Sequence, residues 1–155
     1  MLGKFGNNVH GWRTRGVADR LTPEQRSANM ARIRSKNTLP ELRVRKAAHK
    51  LGYRYRLHRR DLPGNPDLVF PGRKAVIFVH GCFWHRHEGC PDCSQPGSRK
   101  DYWIPKFEAT KVRDARSVAL LQAAGWRVLV IWECESPNLG ELSSKLAAFL
   151  GPLPS

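Results

Sequence analysis

At 155 residues the chain has the size of one domain built on one core. Its 27 Lys and Arg against 13 Asp and Glu leave a formal charge of +14, which points to a polyanion such as nucleic acid as partner. No apolar run approaches the roughly 18 residues of a membrane span, and residues 1–20 lack the apolar segment of a secretory signal. These features argue against membrane and secreted classes and predict a cytoplasmic, reducing setting. There, the 4 cysteines suggest metal binding or catalysis before disulfides.

In chain order, residues 1–20 read as a basic flexible arm, 21–150 as a single domain and 151–155 as a tail. Thr22 reads as an N-cap with Pro23 at N1 and Gln25 at N3, opening a short helix through Met30 and Ile33 to about Arg34. A second helix opens at Thr38, with Glu41 three residues on as the partner in a capping box. Leu42, Val44, Ala47, Ala48 and Leu51 form its apolar stripe, and Gly52 stops it. Tyr53–Leu57 alternates apolar and basic residues and predicts a strand. Leu62-Pro-Gly-Asn-Pro66 is a tight turn. Asp67–Phe70 and Lys74–Val79 read as two strands of a hairpin around Pro71-Gly72. An irregular loop, Cys90–Lys100, precedes an amphipathic helix from about Pro105 to Ala124, which Gly125 ends. Trp126–Trp132 is a continuous apolar strand, and Asn138–Leu150 a last helix. Strand, long helix, strand in that order predicts a parallel pair joined by a crossover. The fold class is therefore α/β, a mixed sheet of about four strands flanked by helices.

The stretch Cys82-Phe-Trp-His-Arg-His-Glu-Gly-Cys90 gathers soft ligands, imidazoles and aromatics at the end of a buried strand. Cys82, His87, Cys90 and Cys134 can form a tetrahedral zinc site if the strands before Cys82 and Cys134 are neighbours. Cys90-Pro-Asp-Cys93 is itself a knuckle spacing, so Cys93 competes with His87 as fourth ligand.

Phosphodiester cleavage needs an attacking water, a group to take its proton and positive charge at the phosphate. Asp67, at the start of a strand, can hold Mg²⁺, with the carbonyl of Val79 as a second oxygen. His80 and His85 are both spare once the zinc set is filled, and either can be the base. Asp114 lies on an apolar helix face with Val118 and Leu121, where a carboxylate pairs with an Arg or orients a His. Phe83, Trp84 and Trp103 are candidates to wedge between base steps. Trp126 and Trp132, on a buried strand, are expected in the core.

Taken together, Arg26–Met30, Leu62–Asp67, Val76–His85, Arg113-Asp114 and Gly125–Cys134 resemble one family, the very-short-patch DNA mismatch endonucleases, over Leu21–Glu135. The resemblance implies a restriction-endonuclease-like fold with an altered active site. It implies catalytic Mg²⁺ on Asp67 and the Val79 carbonyl, with His85 as general base. His80 and Asp114 would support phosphate and imidazole, and Glu41 would assist through the water shell of the metal. Structural zinc would sit on Cys82, His87, Cys90 and Cys134. Phe83, Trp84 and Trp103 would intercalate from the major groove and Met30 from the minor groove. The family nicks duplex DNA 5′ to the T of a T:G mismatch left by deamination of 5-methylcytosine, within the site of a partner methyltransferase. A MutL-type repair protein as a partner, a monomeric state and a nucleoid-associated, bacterial-type location belong to the same expectation. Val79 stands where Thr is often found, Thr110 where Asn is common, and Cys93 is an addition.

Overall fold

The structure, a computed structural model, describes Thr22, Glu24, Gln25, Ala28 and residues 36–154. The chain divides into two units, Met1–Ser35 and Lys36–Ser155. In the first, Glu24, Gln25 and Ala28 are helical. The Thr22 N–H donates to Gln25 Oε1 at 2.9 Å and the Gln25 N–H to Thr22 Oγ1 at 3.2 Å, the reciprocal pair of a capping box. The expected arm over residues 1–20, the run to Arg34 and Met30 lie outside the described residues.

The second unit is α/β. Its elements run α1 (Leu39–Lys50), β1 (Leu68–Phe70), β2 (Ala75–His80), α2 (Lys100–Ala123), β3 (Arg127–Trp132) and α3 (Leu139–Leu150). The sheet order is β1-β2-β3. β1 and β2 form an antiparallel hairpin, closed by the short 3-10 turn Pro71–Arg73 with Lys74 left-handed at φ 49°. β2 and β3 are parallel, in register from Ala75↔Arg127 to His80↔Trp132, and α2 connects them. No helix among the described residues is long and apolar enough to cross a membrane.

Alternation along the strands sorts the core into two layers. Ile77 and Ile131 face one side and pack with Val44, Ala48, Leu142 and Leu146 of α1 and α3. Val76 and Phe78 face the other side and pack with Leu121 of α2. Full burial of such Leu, Ile and Val side chains contributes about 1.5–3 kcal/mol each, so each helix is held by the apolar face it presents.

Local signals place the helix starts. Thr38 caps α1 and Asn138 caps α3, each accepting from the N–H three residues on. Gly52, at φ 93°, takes the left-handed conformation that ends α1.

Four expectations need correction. Tyr53–Leu57 is not a strand; it makes a single antiparallel bridge, Arg56↔Val69. Its alternation still sorts the side chains, with Tyr53 buried and Arg54 and Arg56 exposed, so the sheet has three strands and an extended flank. Leu42 is 47% exposed, and Glu41 is buried in its place. The inward face of α1 runs through positions 41, 44 and 48, which turns Leu42 away. α2 begins at Lys100, five residues before Pro105, with Arg99 left-handed at its cap. Proline commonly opens a helix, but here it costs one internal bond, and the turn ahead of it is held by Trp103 stacked on Phe107 at 5.7 Å. Finally, β3 is only partly buried, as are Trp126 and Trp132.

Candidate active site

Position 80 continues the Val76–Phe78 face of β2, and position 132 the Val128–Val130 face of β3, so both rings point to the side that α2 covers. Beyond His80 the loop folds on itself. The His85 N–H donates to the Gly81 carbonyl and the His87 N–H to the Cys82 carbonyl, each at 3.1 Å. These turns bring the His85 ring flat onto His80, with centroids 3.8 Å apart and planes 7° from parallel. Asp114 of α2 meets His85 from the far side, Oδ2 to Nδ1 at 2.5 Å. A carboxylate only accepts, so Nδ1 carries the proton and Nε2 is the nitrogen free to take another. Burial, and next the neighbouring His85, hold His80 down at about 4, so His80 is neutral near pH 7. The three ligand atoms of His80, His85 and Asp114 lie within 4.8 Å of one another. A buried neutral imidazole, a second imidazole stacked on it and a carboxylate clamping the second suit proton transfer.

Asp67 stands just before β1, and its N–H donates to the Ile77 carbonyl at 3.0 Å. Its Oδ2 accepts from the Val79 N–H at 2.6 Å. In an extended strand the N–H and carbonyl of one residue point the same way, so the Val79 carbonyl faces the Asp67 side. Burial lifts the Asp67 carboxyl to about 6 against the pull of the Val79 N–H, and the nearby Glu41 charge adds to the lift. A carboxylate and a carbonyl oxygen are hard donors of the kind Mg²⁺ takes, and a buried carboxyl beside a second acid is a place where a cation relieves charge. The donor set fits. Asp67 is not part of the imidazole group; the charges acting on it are Glu41 and Arg45. The preceding turn is seated on α2: at Gly64, φ 75°, a Cβ would meet the Ser117 Cβ at 2.7 Å.

Glu41 is already engaged. Its Oε1 accepts from the Thr38 hydroxyl at 2.9 Å, and its Oε2 from the Asn37 N–H at 2.8 Å and Arg45 at 3.1 Å. The return bond of the capping box thus reaches Asn37, one residue before the cap.

Cys82, His87, Cys90 and Cys134 come together as a second group, with ligand atoms within 4.8 Å of one another. His87 Nδ1 is 3.7 Å from Cys82 Sγ and 3.4 Å from Cys134 Sγ. Parallel pairing of β2 and β3 brings Cys134, on the 3-10 turn Glu133–Glu135, to the start of the loop. Cys93 is outside this group; its N–H donates to the Cys90 carbonyl at 3.1 Å. Three thiols and an imidazole make the soft donor set that suits zinc. Burial first, then neighbouring thiols, push Cys82 up to about 12, and Cys134 is raised as well. An ion entering this group displaces those protons.

The aromatics form one cluster against the start of α2. Phe83 meets Trp84, Trp103 and Phe107 edge-on at 5.2, 5.6 and 5.3 Å. Lys106 Nζ lies 5.5–5.7 Å from the rings of Trp84, Tyr102 and Trp103, and the Arg86 guanidinium lies 4.5 Å from Phe107. Phe83, Trp84 and Trp103 are half-buried, packed edge-on or tilted against each other with a cationic rim. Sequence reasoning missed Lys106, Tyr102 and Phe107; the signal was their spacing of four from Tyr102 to Lys106 and from Trp103 to Phe107. It also placed Trp132 in the core, whereas its ring stacks on His87 at 4.2 Å and 5° and meets His80 edge-on at 5.4 Å. The clue was its register opposite His80.

Known proteins similar to this chain point to one family. The family described as "DNA mismatch endonuclease Vsr" matches residues 18–95. The chain is 56% identical over 136 residues to "Type II nicking enzyme V.XorIIP" of Xanthomonas oryzae pv. oryzae, covering 88% of this chain and 99% of that one. It is 39% identical over 118 residues to "DNA mismatch endonuclease Vsr" of Escherichia coli, covering 76% and 75%. It is also 39% identical over 122 residues to "Type II nicking enzyme V.NmeAIP" of Neisseria meningitidis, covering 79% and 86%.

Proposed function

This chain belongs to the DNA mismatch endonuclease Vsr family and is a strand-nicking endodeoxyribonuclease, and we propose that it nicks duplex DNA 5′ to the T of a T:G mismatch. The observation that carries this reading is the His85 imidazole, clamped through Nδ1 by Asp114 and stacked on His80.

In this reading His85 Nε2 takes the proton of the attacking water as its oxygen bonds to phosphorus and one phosphate–sugar oxygen bond breaks. Asp114 holds the ring in one tautomer and stabilises the imidazolium that forms, as carboxylates do for catalytic histidines elsewhere. His80, neutral, fixes the plane of His85 and can donate to a phosphate oxygen. Asp67 and the Val79 carbonyl would hold magnesium, which when bound supplies positive charge for the phosphate. Glu41 assists through solvent and through the charge it places near Asp67. Cys82, His87, Cys90 and Cys134 would hold zinc and so tie the loop to the end of β3.

Phe83, Trp84 and Trp103 are proposed to wedge into the base stack from the major groove, with Met30 acting from the minor groove. The cationic rim supplied by Lys106 and Arg86 favours an approach to phosphates. The fold is proposed to be restriction-endonuclease-like, residues 21–150 to act as one monomeric domain, and 1–20 to serve as a basic arm. Work at the nucleoid within a cytosine methyltransferase site, with stimulation by a MutL-type protein, completes the reading.

A second reading has a specific observation behind it: relatives in Xanthomonas and Neisseria are named type II nicking enzymes. In that reading this chain nicks its site whether or not the pair is mismatched. End-labelled duplexes carrying T:G, T:A or C:G at one position, in several methyltransferase site contexts, separate the two. A nick beside T only in the T:G duplex, dependent on added Mg²⁺, is expected. Equal cutting of matched duplexes would give the second reading the site.

A further inference from the structure

The two side-chain groups are joined by an unbroken series of rings. His87 lies parallel to Trp132, with centroids 4.2 Å apart and planes 5° from parallel. Trp132 meets His80 edge-on at 5.4 Å and 75°. His80 lies flat on His85, and His85 is bonded to Asp114. Trp132 is therefore the only described ring in contact with both an imidazole of the thiol group and an imidazole of the proton-transfer group.

Its placement is set by backbone as well as packing. It pairs with His80 across the parallel β2–β3 ladder. Its N–H donates to Glu135 Oε2 at 2.8 Å, and Glu135 is bound by Lys145 of α3, also at 2.8 Å. The ring is half-buried. An indole that served only to fill the core would sit among aliphatic side chains; this one has the His87 imidazole flat on its face and meets the His80 imidazole edge-on.

We propose that Trp132 is a positioning residue that transmits the geometry of the Cys82–His87–Cys90–Cys134 group to the His80–His85 stack. An ion held by the thiols fixes His87, His87 fixes the indole plane, and the indole edge sets His80, on which the plane of His85 depends. The inference rests on the reading of His85 as general base. The physical basis is close packing: a ring held flat on one face by His87 and meeting His80 edge-on cannot tilt without displacing its neighbours. Catalytic groups tolerate little displacement, since a shift of about 1 Å costs about 100-fold in rate.

The test begins with a readout that does not involve cleavage. In zinc-loaded wild-type protein, the imidazole ring-proton resonances of His80 and His85 are recorded before and after exchange of zinc for cadmium, a larger thiophilic ion. Both resonances are expected to shift in the wild type and in Trp132→Phe, and to stay still in Trp132→Leu. In nicking assays Trp132→Leu is expected to lose about 10–100-fold in kcat, with KM and bound metal unchanged, and Trp132→Phe to recover most of the loss. Two results would overturn the proposal: wild-type resonances that ignore the exchange, or a folded, metal-replete Trp132→Leu that nicks at the wild-type rate. Wild-type resonances that ignore the exchange overturn the proposal even if the leucine variant fails to fold. A His85→Ala protein that nicks normally would sink the general-base reading alone, because the resonance shift is measured without reference to activity.

Discussion

The imidazole group and the thiol group sit at the same end of the sheet but are held in different ways. His80, His85 and Asp114 are locked by contacts among themselves: a flat stack, a hydrogen bond, and burial that keeps His80 neutral. The four residues of the thiol group come from a loop and a turn, and burial holds Cys82 and Cys134 protonated. The first group is complete as packed; the second, in the proposed reading, would gain its full stabilisation from an ion. Damage to the first should therefore strike chemistry and spare the fold, and damage to the second should strike the fold first.

The largest effect is expected from His85→Ala. Loss of a positioned base lowers rate by about 100- to 10,000-fold. The contrast predicts unchanged far-UV circular dichroism and thermal midpoint, and a coincident loss of structure would break it. Next is Cys134→Ser, or Cys82→Ser. Either should release bound metal and lower the unfolding free energy by about 3 kcal/mol or more, with activity falling as the loop loosens. Metal content and denaturant melts measure this. Cys93→Ser, outside the group, should keep both metal and stability, and metal loss from that variant would redraw the ligand set.

Asp67→Asn sharpens the comparison by working in both directions. The folded carboxyl titrates at about 6 instead of 3.8, mainly through burial. Between roughly pH 4 and 6 the folded chain keeps a proton that the unfolded chain has released, so stability falls as pH rises through that window. The deficit is fully present above about pH 6, on the order of 1–3 kcal/mol. The asparagine variant should abolish nicking while melting higher than wild type near neutral pH without magnesium, and the gain should vanish below about pH 4. Melting curves across that range would refute this if wild type and variant ran parallel. Smallest is Thr38→Ala, which removes the cap of α1 and should cost about 1 kcal/mol with kcat unaltered. A fall in kcat would show that the Thr38 hydroxyl is needed to hold Glu41 in its assisting role.

Much of this was legible in the residues because the signals are local. Thr38 and Asn138 announce their helices through side chains that reach N–H groups three residues away. The apolar run ending at His80 declares a buried strand, and the block that follows carries both ligand types within a few residues. What stayed hidden depends on partners distant in sequence. Tyr53–Leu57 alternates as a strand does, but its length of pairing depends on how far β1 runs, and β1 is only 3 residues long. The first turn of α2 forms around an aromatic cluster that Phe83, some way back in the chain, completes. Trp132 looks like core until β2 and β3 are placed side by side.

The extended flank beside β1 has one more consequence. A single bridge ties it to the sheet, so its outer backbone resembles the open margin of a sheet that could recruit a strand from another molecule. Arg54 and Arg56 project from that stretch into solvent. Like charges brought edge to edge repel, and basic residues on exposed margins discourage such pairing. Arg54 and Arg56 thus disfavour strand-to-strand pairing of two copies along that margin.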